Sequence, residues 1–231
     1  MDWYVKRTIF ISLIAFALLA ISCGDGSDGE VPSPPLVLTS TAEDGTSSVR
    51  AYVTNLLSAT VSVLDLSTNT EIATIPVGQT PKGIALTPDG IHAYVTNQLS
   101  STVSVLDLNM NTEIATIVVG NGPRGIAITP DGNHAYVTNQ FSDNVSVLDL
   151  NMDTEIDTIS VGKDPWNIAI TPDGTRAYVT NQLSSTVSVL DLRTDTGITT
   201  ISLGDAPWDI AITPDGDRAY VANFSSSRSL I

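Results

Sequence analysis

Residues 123–162 read PRGIAITPDGNHAYVTNQFSDNVSVLDLNMDTEIDTISVG, and this stretch decides the fold. Residues 125–129 form a short apolar run rich in β-branched side chains. Pro130-Asp131-Gly132 then supplies a turn, in which proline presets φ and glycine accepts a positive φ. Residues 134–139 form a second extended run, the mostly polar loop 140–144 breaks it, and residues 145–150 form a third. After a second polar turn at 151–154 comes a fourth run at 155–161, ended by Gly162. Short runs separated by turn signals every 8–12 residues predict an all-β chain. No stretch beyond the N-terminal segment carries a helical periodicity.

The stretch is one copy of a repeat. Tyr52, Tyr94, Tyr136, Tyr178 and Tyr220 each open a Tyr-Val-Thr-Asn tetrapeptide (the last reads Tyr220-Val221-Ala222-Asn223), and consecutive tyrosines are 42 residues apart. A fixed period of about 40–50 residues marks stacked repeats, and four strands per period is the blade of a β-propeller. A blade lies between two neighbours, so both of its faces are buried and its strands read as nearly continuous apolar runs. Ala85, Ala127, Ala169 and Ala211 fall on the run expected to be innermost, where strands converge on the axis and small side chains are expected.

The TPDG, AYVTN, SVLDL and EIATI motifs across about residues 50–223 resemble the YVTN-repeat β-propeller family, known from surface-layer-type proteins and similar to lactonase-type propellers. The resemblance implies a blade with GIAIT innermost, then AYVTN, VSVLDL and EIATI outward. Four strong innermost runs begin at 83, 125, 167 and 209, residues 36–40 suit a degenerate fifth, and residues 224–231 read as a loop and the start of a third run. The expected fold is therefore an all-β propeller of about four and a half blades, incomplete or, alternatively, a compact five-bladed ring. An open ring would leave an edge strand ready for self-association with another copy.

Residues 1–22 read as a signal peptide. Lys6 and Arg7 precede an apolar run at 9–21, which is short against the roughly 20 residues a membrane span needs. A short membrane anchor is the alternative. Cys23 is the only cysteine and cannot form an internal disulfide. The segment resembles a bacterial lipoprotein signal, which implies lipidation at Cys23 as the mature N-terminus. Ala20 departs from the leucine usual in that family, and Gly24 after the cysteine implies outer-membrane sorting rather than inner-membrane retention. Residues 23–35 (CGDGSDGEVPSPP) have the composition of a flexible tether, and residues 36–231 carry the propeller repeats. The expected location is the cell envelope, periplasmic or surface-exposed, with the membrane as one partner through the anchor.

The full chain carries a formal net charge of −15, and without Asp2, Lys6 and Arg7 it keeps 24 acids and 8 bases, a charge of −16. Such a surface repels phosphate backbones, so nucleic acid is not an expected partner. His92 and His134 stand one period apart, in a register that also holds Arg50, Arg176 and Arg218. That position asks for a basic side chain after the turn, and two histidines on separate blades do not make a zinc site. Asp65, Asp107, Asp149 and Asp191 recur identically, which suits backbone-amide bonding at a strand end better than acid–base chemistry. Neither a G-x-S-x-G elbow nor a glycine-rich phosphate loop occurs, and no metal, cofactor or catalytic residue is expected.

The repeats differ in the loop that enters the innermost run. Proline is constant there, while the next residue is Lys82, Arg124, Trp166 and then Trp208, followed by Gly83, Gly125, Asn167 and Asp209. The family strand order places these residues at the mouth of the central channel. Two readings stay open: a polarised contact surface for a protein or small ligand, or tryptophans packed over blade–blade seams. Phe141, in the register of Leu57, Leu99 and Leu183, belongs to the same face. The binding candidates are thus Lys82, Arg124, Trp166, Asn167, Trp208, Asp209 and Phe141. The expected function is a non-enzymatic envelope lipoprotein acting as an interaction or surface-structural module. The alternative is an enzyme of the lactonase or periplasmic oxidoreductase type, for which Asp164, Asp209, Lys163 and Arg124 are the candidates.

Overall fold

Each repeat folds into one antiparallel sheet, because its turns are short and chemically specified. The computed structural model describes residues 36–41 and 48–224. The signal segment, Cys23, the tether and the start of a third run after Phe224 lie outside the described residues. The first blade comprises β1 (Leu36–Thr41), β2 (Ser48–Asn55), β3 (Thr60–Asp65) and β4 (Thr70–Pro76). The second has β5 (Pro81–Leu86), β6 (His92–Asn97), β7 (Thr102–Asp107) and β8 (Thr112–Val118). The third has β9 (Pro123–Ile128), β10 (His134–Asn139), β11 (Asn144–Asp149) and β12 (Thr154–Ser160). The fourth has β13 (Pro165–Ile170), β14 (Arg176–Asn181), β15 (Thr186–Asp191) and β16 (Thr196–Ser202), and β17 (Pro207–Ile212) pairs with β18 (Ala219–Asn223) in a two-stranded sheet. The described residues thus form four complete blades and part of another.

The first strand of every blade is the innermost. β5 packs on β9, β9 on β13 and β13 on β17, and β1 lies against β5. The degenerate run at the start is a true inner strand, since Leu36 to Thr41 pair in register with Val53 to Ser48 of β2.

The core lies in the seams between sheets. Tyr94, Val103, Val105 and Ile117 of the second blade meet Ile126, Ala135, Val137 and Leu148 of the third. One seam on, Tyr136, Val145, Val147 and Ile159 meet Ile168, Ala177, Val179 and Leu190. Neighbouring residues of one strand thus face opposite seams, as in any pleated strand, and both sides are dry.

Every letter of the Tyr-Val-Thr-Asn motif has a task. The Tyr94 hydroxyl donates to Asp153 Oδ1 at 2.9 Å and the Tyr136 hydroxyl to Asp195 Oδ1 at 2.6 Å, each on the outer turn of the following blade. Valine fills the preceding seam. Thr138 Oγ1 accepts from the Gly125 amide at 2.8 Å and donates to the Trp166 carbonyl at 3.1 Å, joining its own inner strand to the next one. The Asn139 amide donates to Asn144 Oδ1 and Ser146 Oγ, both at 2.8 Å, and ties the second strand to the third. The repeated aspartates bond the turns: Asp107 Oδ1 accepts from the amides of Asn109 and Met110 at 2.8 and 2.9 Å. These carboxylates therefore have the backbone-bonding role that their repetition suggested.

Candidate functional site

The loop from the fourth strand of one blade to the first strand of the next reaches the same end of the sheet as the loop between second and third strands. Backbone bonds hold the two loops together: Gln98 N donates to Thr80 O at 3.0 Å and Gln140 N to Gly122 O at 2.9 Å. The residue before each constant proline has a positive φ, +56° at Thr80, +69° at Gly122, +56° at Asp164 and +51° at Ala206. This left-handed step turns the chain into the inner strand. It puts residue 82, 124, 166 or 208 at the inner edge of this face.

There the variable residues of three blades converge. The Arg124 guanidinium carbon lies 2.9 Å from the Trp166 ring centroid and 5.7 Å from that of Trp208, a cation–π arrangement. The two indoles are 4.2 Å apart at centroids and tilted by 49°. Trp208 stacks in turn on Phe224, at 5.5 Å and 27°. The Asn167 amide donates to Asp209 Oδ1 across the next seam. Each tryptophan is half-buried, so the cluster both packs the seams and keeps a partly open surface.

Gly83 and Gly125 allow neighbouring inner strands to approach closely. A Cβ at Gly83 would sit 2.4 Å from the Arg124 carbonyl, and one at Gly125 would meet Asn167 Oδ1 at 2.7 Å. Asn167 and Asp209 occupy the same register further along, where the side chains bond each other instead.

Electrostatics follow from burial. Burial lowers the Arg124 pKa to about 10, with the charge of Asp164 opposing it. Lys82 is lowered too, first by burial and then by repulsion from Arg124. Burial raises Asp164, against a hydrogen bond from Gln140 and the charge of Arg124. Gln140 Oε1 also accepts from Gln98 Nε2 at 2.6 Å and from Arg124 Nη1 at 3.4 Å. The face is thus a small set of partly desolvated charges around stacked aromatic rings.

The candidates do not all meet. Arg124, Trp166 and Trp208 form one cluster, Asn167 and Asp209 a second contact beside it, and Lys82 couples to the cluster through the charge of Arg124. Phe141 stands apart from the stack and covers Gly122, where a Cβ would lie 2.5 Å from the Phe141 ring. Gln140 and Phe224 belong to the site and were not singled out from the sequence. The signal existed: their register reads Leu56, Gln98, Gln140, Gln182 and Phe224, which disagrees at its two ends. Among the described residues no group of three or more His, Cys, Asp or Glu side chains stands together.

Comparison with solved structures places the fold among propellers. The chain is similar to "Kuenenia stuttgartiensis Hydrazine Synthase", with a TM-score of 0.71 and 29% identity over 74% of this chain and 51% of that one. It is similar in fold to a functionally unknown protein from Desulfotomaculum acetoxidans DSM 771, with a TM-score of 0.69 and 22% identity over 75% of this chain and 59% of that one. The chain therefore spans about half the length of the structures it matches. No curated protein matches it. A family model described as "Lactonase, 7-bladed beta-propeller" matches residues 44–156 and, overlapping, 112–230, so the chain belongs to this propeller family.

Proposed function

We propose that the chain is a non-enzymatic, envelope-anchored propeller that makes contacts through the face bearing Arg124, Trp166 and Trp208. One observation carries this reading. The repeated polar side chains are spent on seams and turns, whereas the residues that differ between repeats gather at one mouth. Aromatic rings and an arginine, partly open to solvent, are the side chains that dominate contact surfaces. The lipobox-like Cys23 and the acidic tether support the envelope and a lipid anchor. Residues 1–22 then act as the signal, 23–35 as the tether and 36–231 as the working body.

A second reading has its own support. The family model names lactonases, and Asp164 is a buried carboxylate held above its ordinary range, within the influence of Arg124. A carboxylate so tuned suits a general base. Hydrolysis of a simple lactone by the purified protein separates the two. The expected result is no turnover above buffer. Turnover that disappears in Asp164→Asn or Asp209→Ala establishes the enzyme and overturns the contact module. The anchor has an independent check: Cys23→Ser is expected to abolish the acyl mass shift and move the protein from the membrane to the soluble fraction.

A further inference from the structure

The same face carries a second feature that the contact cluster does not use. Leu57, Leu99, Phe141 and Leu183 recur once per blade at the tip of the loop after the second strand, and they are 95%, 68%, 65% and 75% exposed. Two of these tips are held by backbone bonds to the neighbouring loop. Leu99 N donates to Gln79 O at 3.3 Å and Phe141 N to Asn121 O at 3.1 Å. A left-handed residue, Ala59, Ser101, Asp143 or Ser185, closes each loop two residues later. A loop in the same register thus presents one large apolar side chain to water on each of the four blades. The half-buried indoles of Trp166 and Trp208 lie inside this row, and Phe224 is exposed beside them.

Charge distinguishes this face from the opposite one. Lys82 and Lys163, the lysines of the described residues, lie on it with Arg124. Among the described residues its carboxylates are Asp143, Asp164, Asp205 and Asp209. The opposite end collects the acid of the repeat, because every TPDG turn and every third-strand end places an aspartate there, as Asp131 and Asp149 do. The apolar tips therefore sit on the less acidic end.

The path of the chain points the same way. β1 starts at Leu36, opposite Val53 and near Asn55, so the polypeptide enters the body at the end where the second strands finish in asparagine. That is the end with the apolar tips. The sequence before it holds the apolar run 9–21, Cys23 and only residues 24–35 between Cys23 and β1.

We infer that this face rests on a lipid bilayer, with Leu57, Leu99, Phe141 and Leu183 dipping into the interface and Trp166 and Trp208 at headgroup depth. This deepens the proposed function by naming the bilayer as the contact partner, and it rests on the anchored reading for its local concentration. Separate apolar tips in one register, one per blade and on one face, suit a planar, deformable surface better than a shaped protein pocket. Tryptophan and lysine are the residues that favour such an interface. The acidic bulk of the chain selects zwitterionic over anionic headgroups. Apolar tips alone bind weakly, and a tether raises their effective concentration enough to hold the face down.

The indoles provide the test. The membrane-extracted protein expressed with Trp3→Phe, so that Trp166 and Trp208 alone emit whether or not residues 1–22 have been removed, is reconstituted into phosphatidylcholine vesicles whose acyl chains bear bromine. Flotation reads the anchor, and quenching of tryptophan emission reads the face. Co-flotation with loss of emission is expected. The combined variant Leu57→Ser, Leu99→Ser, Phe141→Ser and Leu183→Ser should float equally, unfold at the same temperature and recover its emission. Met152→Ser, at the opposite end, should remain quenched. Flotation without quenching overturns the inference and leaves a protein partner for the apolar tips. Quenching on added vesicles without flotation removes the anchor and keeps the face, whereas loss of both removes both. Quenching that persists in the combined variant also overturns it.

Discussion

Thr138 stands where the ladder between β9 and β10 slips: Val137 pairs with Ile126, Asn139 with Pro123, and the step between is irregular. Its hydroxyl replaces the missing ladder bond by accepting from Gly125 N, and it reaches onward to the Trp166 carbonyl. Thr96 and Thr180 repeat the arrangement with Gly83, Arg124, Asn167 and Trp208. Thr138→Val keeps the shape and strands two buried backbone groups, so it should cost about 2–4 kcal/mol. A denaturant titration reads that loss, while Ser at this position should restore most of it. The repeat of threonine was legible in the sequence. Its partner was not, because the carbonyl it meets lies 28 residues away on another sheet.

At the scale of elements, the turns are specified almost wholly by local chemistry. In the TPDG turn Gly132 takes φ +73°, the Asn133 amide donates to Asp131 Oδ1 at 3.1 Å, and the His134 amide donates to Thr129 Oγ1 at 3.1 Å. His134 and His92 begin strands after such turns, in agreement with the basic register read from the repeats. The turn carboxylates are stabilised as anions. Asp89, Asp131 and Asp215 are lowered mainly by the threonine hydroxyl, and Asp173 by Thr171 to about 2. A folded-state pKa below the unfolded value stabilises the fold above roughly pH 4 and is lost as pH falls toward 2. Circular dichroism should therefore show unfolding spread over that window, and Asp173→Asn should make the fourth blade less sensitive to acid. Four strands per period and their order were legible here, since alternation, turns and strand lengths are local properties. Strand limits moved by one or two residues, as when the proline before the inner run proved to be part of β9.

The described blades form a row of similar seams, and two of them carry a tyrosine latch. Burial, and then the bond to an aspartate, push Tyr94 and Tyr136 well above the ordinary phenol range. No such bond forms between the buried Tyr52 hydroxyl and Asn111 Oδ1 in the same register. Tyr94→Phe and Tyr136→Phe act in different seams, and each should cost about 1–2 kcal/mol by loss of a bond to a charged acceptor. Their effects should add within about 0.5 kcal/mol in the double variant, as independent sites do. Urea unfolding of the three variants checks this, and strong coupling would show that the seams melt as one unit.

The sequence by itself determined the blade, the number of repeats and which residues vary, because a 42-residue period and its turn chemistry are readable along the chain. It also pointed to Lys82, Arg124, Trp166 and Trp208 as residues freed from the repeat. Only the tertiary structure decided that Arg124 lies on Trp166, that Phe141 stands apart, and that Gln140 and Phe224 join the site. The reason is physical. Those contacts cross seams between sheets, where packing of side chains from separate repeats, and not any local preference of the chain, sets which groups touch.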